Sequence, residues 1–309
     1  MTSSVFIDGA VGTTGLEIRE RLSGRPEFSV VTLEESKRKD ATARRDALNA
    51  ADFVILCLPD DAAREAVSMI ENSATRVIDA STAYRTATGW TYGFPELDRS
   101  QDGAIARATR VSNPGCYPTG FLALVRPLVR LGIIPADWPV IVNAVSGYSG
   151  GGKSMIEEFE GATAPTAWRG YALGLAHKHL AEMQRHAGLD HLPIFTPSVA
   201  NTHRGMVVEV PLPLHALPAR PSIAAIADAL SDTYAGSRIV RFGERSASIV
   251  EIEADAGTDR MTLSVHGNDA AGQAILVATL DNLGKGASGA AVQNLNIMAG
   301  LDPAAGLIL

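Results

Sequence analysis

The sequence predicts an α/β fold in two parts: an open parallel sheet with helices on its faces, then an α+β half built on a mixed or antiparallel sheet. Three observations predict it. Over residues 4–79, short apolar runs alternate with helical stretches, and each run ends in a polar or glycine-rich turn, the pattern of a doubly wound parallel sheet. Beyond residue 238, runs such as 239–242 and 261–266 mix apolar and polar residues as antiparallel strands with one wet face do. Between the halves, Asn113-Pro114-Gly115-Cys116-Tyr117-Pro118-Thr119 sets a tight turn before a long apolar helix.

Composition narrows the function. The 309 residues are 46% hydrophobic and 20% charged, the balance of a globular chain with a sizeable core. A net charge of −7 argues against nucleic acid as a partner. No apolar run is long enough to span a bilayer, so no membrane partner is expected. The start, Met1-Thr2-Ser3-Ser4-Val5-Phe6, has no basic region and enters a strand at once, so no signal peptide is expected. Cys57 and Cys116 are the only cysteines; a disulfide framework is not expected, and the cytoplasm is the expected location. No Cys/His spacing resembles a zinc site, and no metal is expected.

In chain order, the strand at 4–8 runs into Gly9-Ala10-Val11-Gly12-Thr13-Thr14-Gly15 and then a helix over 16–22. Glycines at this spacing let the backbone approach a phosphate at the helix N-terminus, so this half reads as a Rossmann-type dinucleotide-binding domain. Gly9, Gly12, Thr13, Thr14 and Gly15 are its candidate cofactor ligands. A strand at 28–33 ends in Glu34-Glu35-Ser36-Lys37-Arg38-Lys39. An acidic side chain there would hold the ribose of NAD, whereas Ser36 and Arg38 would accept the 2′-phosphate of NADP. Position alone leaves both open. A strand at 53–58 contains Cys57, expected to be buried and inert. A helix at 62–71 and a strand at 76–79 lead to the loop at 80–85, where Arg85 is a candidate anion ligand, because a guanidinium fork matches phosphate or carboxylate.

Pro118 suits a first helical turn, which puts Cys116 at the mouth of a helix. Unpaired N–H groups and the helix dipole there favour a reactive thiolate. A strand at 138–145 empties into Ser146-Gly147-Tyr148-Ser149-Gly150-Gly151-Gly152-Lys153, a loop suited to anion binding through its backbone, with Ser146, Tyr148, Gly150 and Lys153 as candidates. Further on stands His177-Lys178-His179, followed by Glu182. A helix beginning near His177 would put His179 and Glu182 on one face, where the carboxylate orients an imidazole. The remainder predicts an amphipathic helix at 222–235 with Ser222 as N-cap. Antiparallel strands are expected at 239–242, 248–252 and 261–266, a last strand at 276–283 and a helix at 290–298.

These motifs together resemble the N-acetyl-γ-glutamyl-phosphate reductases in their shorter form, within the aspartate-semialdehyde dehydrogenase-like superfamily. The resemblance covers 9–15, 79–85, Tyr92-Gly93-Phe94-Pro95-Glu96-Leu97, 113–119, 146–153, His177-Lys178-His179 with Glu182, and Asp281-Asn282-Leu283-Gly284-Lys285-Gly286-Ala287. It implies NADP as cofactor, a small acyl-phosphate substrate, a Cys116 nucleophile that forms a thioester, and either His177 or His179 as acid/base. Asn282 joins the expected cofactor ligands; Asn113, Glu182, Arg85 and the 146–153 loop are the expected substrate ligands. It also implies a discontinuous NADP-binding domain (1–117 with 285–309), a catalytic and dimerisation domain (118–284) and a homo-oligomer, dimer or tetramer. Lys178 departs from the Arg common in longer members. A related semialdehyde dehydrogenase acting on an aminoadipyl or aspartyl phosphate is the alternative.

Overall fold

The computed structural model describes residues 2–243 and 248–309. The chain forms two compact units, Met1–Gly115 with Ala287–Leu307 and Cys116–Gly286 with Ile308–Leu309.

The first unit opens with β1 (Ser3–Asp8), α1 (Thr13–Leu22), β2 (Phe28–Val31), α2 (Ala41–Ala50), β3 (Phe53–Leu56), α3 (Asp60–Ser68) and β4 (Arg76–Asp79). It continues through β5 (Thr91–Tyr92), α4 (Gln101–Arg107) and β6 (Arg110–Ser112). Among the described residues its sheet has six strands in the order β2-β1-β3-β4-β6-β5, and every pairing is parallel. Both faces are covered. Val5, Ile7, Ile55 and Ile78 pack on one side, while Phe6, Val54, Leu56 and Val77 pack on the other. That is why β3, Phe-Val-Ile-Leu, is buried at every position, as a strand inside a doubly wound sheet must be. The carboxyl ends of β1, β3 and β4 bring Gly9, Cys57 and Asp79 to one edge, where such sheets hold ligands.

The second unit begins with α5 (Cys116–Arg130), β7 (Ile141–Gly147), α6 (Gly152–Glu160), β8 (Trp168–Gly170), α7 (Leu180–Ala187) and β9 (Ile194–Ala200). Then come β10 (Met206–Pro213), α8 (Ile223–Thr233), β11 (Val240–Phe242), β12 (Met261–Asn268) and β13 (Gln273–Leu280). Among the described residues its sheet has seven strands, ordered β11-β12-β13-β10-β7-β9-β8, and is mixed: β7/β9 and β11/β12 are parallel and the other pairs antiparallel. Ser222 caps α8, accepting from the Ala225 N–H at 3.1 Å. Finally α9 (Gly289–Met298) contributes Val292 and Leu295 to the core of the first unit.

The structure corrects three expectations here. Residues 248–252 form no strand; no strand among the described residues pairs with them. β11 runs parallel to β12, not antiparallel. No helix starts at His177: α7 starts at Leu180 with His179 as its N-cap.

Candidate active site

Cys116 is the first residue of α5, so it stands among N–H groups without intrahelical acceptors, at the positive end of the dipole. The helix start is anchored from behind. Tyr117 donates its hydroxyl to the Ser198 carbonyl at 2.9 Å, and Tyr171 donates to the Tyr117 oxygen at 3.2 Å. Ser146, at 3% exposure, hydrogen-bonds the Tyr117 side chain and donates to the Gly147 carbonyl at 3.0 Å. Burial pushes the Tyr171 phenol up to about 12 and holds Tyr117 well above the usual phenol range; negative charge on Cys116 is a further cause at each. Both phenols are therefore neutral donors at pH 7, and both feel the charge state of the thiol. Neither tyrosine was singled out from the sequence.

The two histidines border the same phenol. The Tyr117 ring centroid lies 6.1 Å from that of His177 and 6.0 Å from that of His179. The imidazoles are 4.6 Å apart, edge to face, and Phe195 packs at 5.1 Å against both Tyr117 and His177. The backbone N–H of His179 donates to Nδ1 of His177 at 3.1 Å. Nδ1 is thus an acceptor, and a neutral His177 carries its proton on Nε2. Burial first, and the Lys178 ammonium second, push His177 down to about 4. His179 is 5% exposed and His177 half-buried. Glu182, in the first turn of α7, is 2% exposed.

The glycine-rich loop is partly helix. Lys153 is an exposed residue in the first turn of α6, and Gly150 is exposed just before it. Tyr148 is committed elsewhere: it stacks on Phe159 at 5.1 Å and donates to Glu160 at 3.1 Å. Asn282 braces this loop, donating to the Ser149 hydroxyl at 2.9 Å and accepting from the Gly205 N–H at 3.0 Å.

In the first unit, Asn113 secures the turn that leads to Cys116. Its N–H donates to the Asp79 carbonyl at 2.7 Å and its amide to the Ala287 carbonyl at 2.9 Å, while its side-chain oxygen accepts from Asn294 at 3.0 Å. Arg85 donates through Nε to the Asn113 carbonyl at 2.9 Å and through Nη2 to the Ala80 carbonyl at 3.1 Å. Two of its N–H groups therefore serve the scaffold. Asp79 is wholly buried, and burial pushes its carboxyl up to about 6 although Ser81 donates to it at 2.7 Å. Cys57 is pushed up to about 12 by burial and the nearby carboxylates of Asp79 and Asp8, which keeps it an unreactive thiol.

A cavity of about 610 Å³ opens beside the glycine loop, with Gly9, Val11, Arg19, Glu35, Arg38 and Lys39 among its lining. Gly9 has φ +88°, and a Cβ there would lie 2.3 Å from the Cys57 carbonyl oxygen, so only glycine fits. Gly12 donates to the Gly9 carbonyl at 3.0 Å and caps α1, whose first turn, Thr13-Thr14-Gly15, carries no acid. Three cations face this space against two carboxylates, and both carboxylates are paired: Asp8 with Arg44 at 2.9 Å and Glu35 with Arg38 at 2.6 Å. An anionic dinucleotide fits this donor set. Arg19 and Lys39 add to the expected residues, whereas Gly12, Thr13, Thr14, Gly15 and Ser36 lie outside the lining. Among the described residues no cluster of His, Cys, Asp and Glu is arranged to hold a metal, and no helix is long and apolar enough to cross a membrane.

Residues 4–104 match the family model of the semialdehyde dehydrogenase NAD binding domain, and residues 116–282 that of the semialdehyde dehydrogenase dimerisation domain. In solved structures, aspartate semialdehyde dehydrogenase II of Vibrio cholerae, complexed with ASA, matches with a TM-score of 0.73 at 16% identity, over 97% of this chain and 99% of that one. Aspartate semialdehyde dehydrogenase with NADP from Candida albicans gives 0.68 at 14% identity, over 96% and 98%. At those identities the likeness is one of fold. Curated relatives are nearer. The N-acetyl-gamma-glutamyl-phosphate reductase 2 of a Nostoc strain is 50% identical over 98% of both chains. The N-acetyl-gamma-glutamyl-phosphate reductase of a Chelativorans strain is 53% identical over 96% of this chain and 98% of its own. Sharing about half its residues with such relatives along nearly its whole length, the chain belongs to the N-acetyl-gamma-glutamyl-phosphate reductase family.

Proposed function

We propose that this protein reduces N-acetyl-L-glutamyl 5-phosphate to N-acetyl-L-glutamate 5-semialdehyde and phosphate with NADPH, a step of arginine biosynthesis. The observation that carries this is the whole-length identity to relatives bearing that name. The placement of Cys116 at a helix start beside two neutral phenols and a histidine pair supports it.

In this reading the Cys116 thiolate attacks the γ-acyl carbon, the bond to the phosphate oxygen breaks, and a thioester forms on Sγ. Backbone N–H groups at the start of α5 receive the developing oxyanion. His177 is the acid/base: it is neutral at pH 7, half-buried rather than closed off, and fixed as the Nε2–H tautomer by His179. The thiol proton goes to the Nδ1 lone pair, which gives up the His179 N–H as it does so, and the imidazolium later returns a proton from Nε2 to the oxygen of the thiohemiacetal. Arg85, Asn113, Ser146, Gly150, Lys153 and Glu182 orient the phosphate and carboxylate, directly or by shaping the backbone. Gly9, Ala10 and Val11 with Arg19, Arg38 and Lys39 line the space for the dinucleotide, and residues 12–15 at the start of α1 offer their backbone N–H groups to its phosphates. When bound, NADPH supplies the hydride that reduces the thioester carbon.

The first unit is then the NADP-binding domain and the second the catalytic domain. A homo-oligomer formed through the second unit is supported by the dimerisation-domain match and by Ile141 and Ile194, paired in register and 42% and 46% exposed. Cys57 and Cys116, neither of them in a disulfide among the described residues, support a reducing, cytoplasmic setting. The test is NADP reduction with N-acetylglutamate 5-semialdehyde and phosphate, beside the aspartate and aminoadipate semialdehydes. Phosphate-dependent turnover on the first aldehyde is expected; preference for either of the others would contradict the assignment.

A further inference from the structure

The turn after β13 is built around one carboxylate. Asp281 is wholly buried. Its Oδ1 accepts from the Leu283 N–H at 2.7 Å and the Gly284 N–H at 3.1 Å, and its Oδ2 accepts from the Gly257 N–H at 2.6 Å. The Arg204 guanidinium stands 3.6 Å from Oδ2. Hydrogen bonds to an ionised acceptor are the short, strong kind, and three of them from backbone fix the local chain path. The carbonyl of the same residue accepts from the Gly286 N–H at 3.0 Å, which closes the turn.

That closure presses Gly286 against Cys116. A Cβ built on Gly286 would lie 2.9 Å from the Cys116 Cβ, 2.9 Å from the Asp281 carbonyl oxygen and 3.4 Å from the Cys116 Cα. There is no room for a methyl group without moving one of them. Gly284–Ser288 is a π-helical turn, a geometry seen mostly at functional sites. A cysteine side chain has three staggered wells, and a backbone wall against its Cβ constrains how the residue seats within them. The Tyr117–Ser198 bond pins the first turn of α5 as well.

We propose that Asp281 and Gly286 are positioning residues for Cys116: the carboxylate locks the turn, and the bare Cα of Gly286 sets where the thiol stands at the helix start. Both act through Cys116 in this reading and not on the substrate itself. The inference rests on the reading of Cys116 as nucleophile, and a misplaced nucleophile is costly, since about 1 Å can remove a hundredfold in rate.

The experiment compares Gly286→Ala and the isosteric Asp281→Asn with the parent enzyme. It uses three readouts: kcat and KM, the melting temperature, and the rate at which iodoacetamide alkylates Cys116 across pH, followed by peptide mass so that Cys57 is counted separately. Gly286→Ala is expected to lower kcat on the order of 10- to 100-fold with KM for NADP unchanged, and to shift the alkylation profile of Cys116. Asp281→Asn, which keeps the side chain's size but loses its charge and one of its two acceptor oxygens, is expected to move both in the same direction by less. It carries the test if Gly286→Ala does not fold. Parental kcat and alkylation in a folded variant overturn the proposal, and so does a lowered melting temperature with neither changed. Alkylation needs no substrate, so an enzyme inactive on the N-acetylglutamyl compound would sink the functional reading while this comparison still stands.

Discussion

The backbone N–H of His179 donates to Nδ1 of His177 at 3.1 Å. One histidine thus sets the tautomer of the other, and the ring of His177 presents Nε2–H from a half-buried position. Lys178 stands between them in sequence, and its charge is the second cause, after burial, of the depression of His177 from 6.5 to about 4.

Replacing Lys178 by Gln removes a positive charge that opposes protonation, so the His177 pKa rises. A base loses function as pH falls through its pKa, and the acid limb of kcat/KM moves to higher pH. Burial remains the larger cause, so the limb stays below 6.5. A pH profile checks this; an unmoved limb, or one displaced to lower pH, excludes His177 as the base.

Arg38 faces the cavity beside the glycine loop and pairs with Glu35 at 2.6 Å. A charge-assisted bond to a 2′-phosphate is worth about 1.5–3 kcal/mol, or roughly 10- to 100-fold in affinity. Arg38→Ala should raise the NADP KM by about that factor and leave the NAD KM nearly unchanged. Titration with both cofactors decides it, and equal losses for the two would remove Arg38 from phosphate recognition.

Asp79 sits at about 6 against a reference of 3.8, because burial disfavours its charged form. Its folded value lies above its unfolded one, so its contribution to stability is full below pH 3.8 and is lost as pH rises through 6. The expected loss by pH 7 is on the order of 2–3 kcal/mol. Asp79→Asn carries no such dependence. Urea unfolding of both proteins from pH 4 to pH 8 should show the variant gaining on the parent as pH rises, with the change concentrated between 4 and 6. A constant difference would mean that the buried carboxyl is not perturbed as described.

The first sheet was legible where burial on both faces leaves no polar residue, as in Phe53–Leu56. β5 (Thr91–Tyr92) and β8 (Trp168–Gly170) are too short to show a period. α2 was missed because its buried positions are Leu48 and Arg44. An arginine is buried there only by pairing with Asp8 at 2.9 Å, a contact no local pattern shows. Residues 248–252 alternate like a strand, and among the described residues no strand pairs with them. In the site, Cys116 was legible from turn chemistry and helix onset. Tyr117, Tyr171 and Asp281 were not, because their roles arise from contacts far apart in sequence: Tyr117 with Ser198, Tyr171 with Tyr117, and Asp281 with Gly257.

The central claim is covalent catalysis at Cys116, and one measurement tests it most directly. The enzyme is mixed with N-acetylglutamyl 5-phosphate in the absence of NADPH, quenched in acid and read by peptide mass, beside Cys116→Ser. The account predicts an N-acetylglutamyl adduct confined to the Cys116 peptide of the parent, and loss of NADP-linked turnover in the variant. Turnover persisting in Cys116→Ser, with no adduct on the parent, would contradict it and leave Cys116 a structural residue at a helix start.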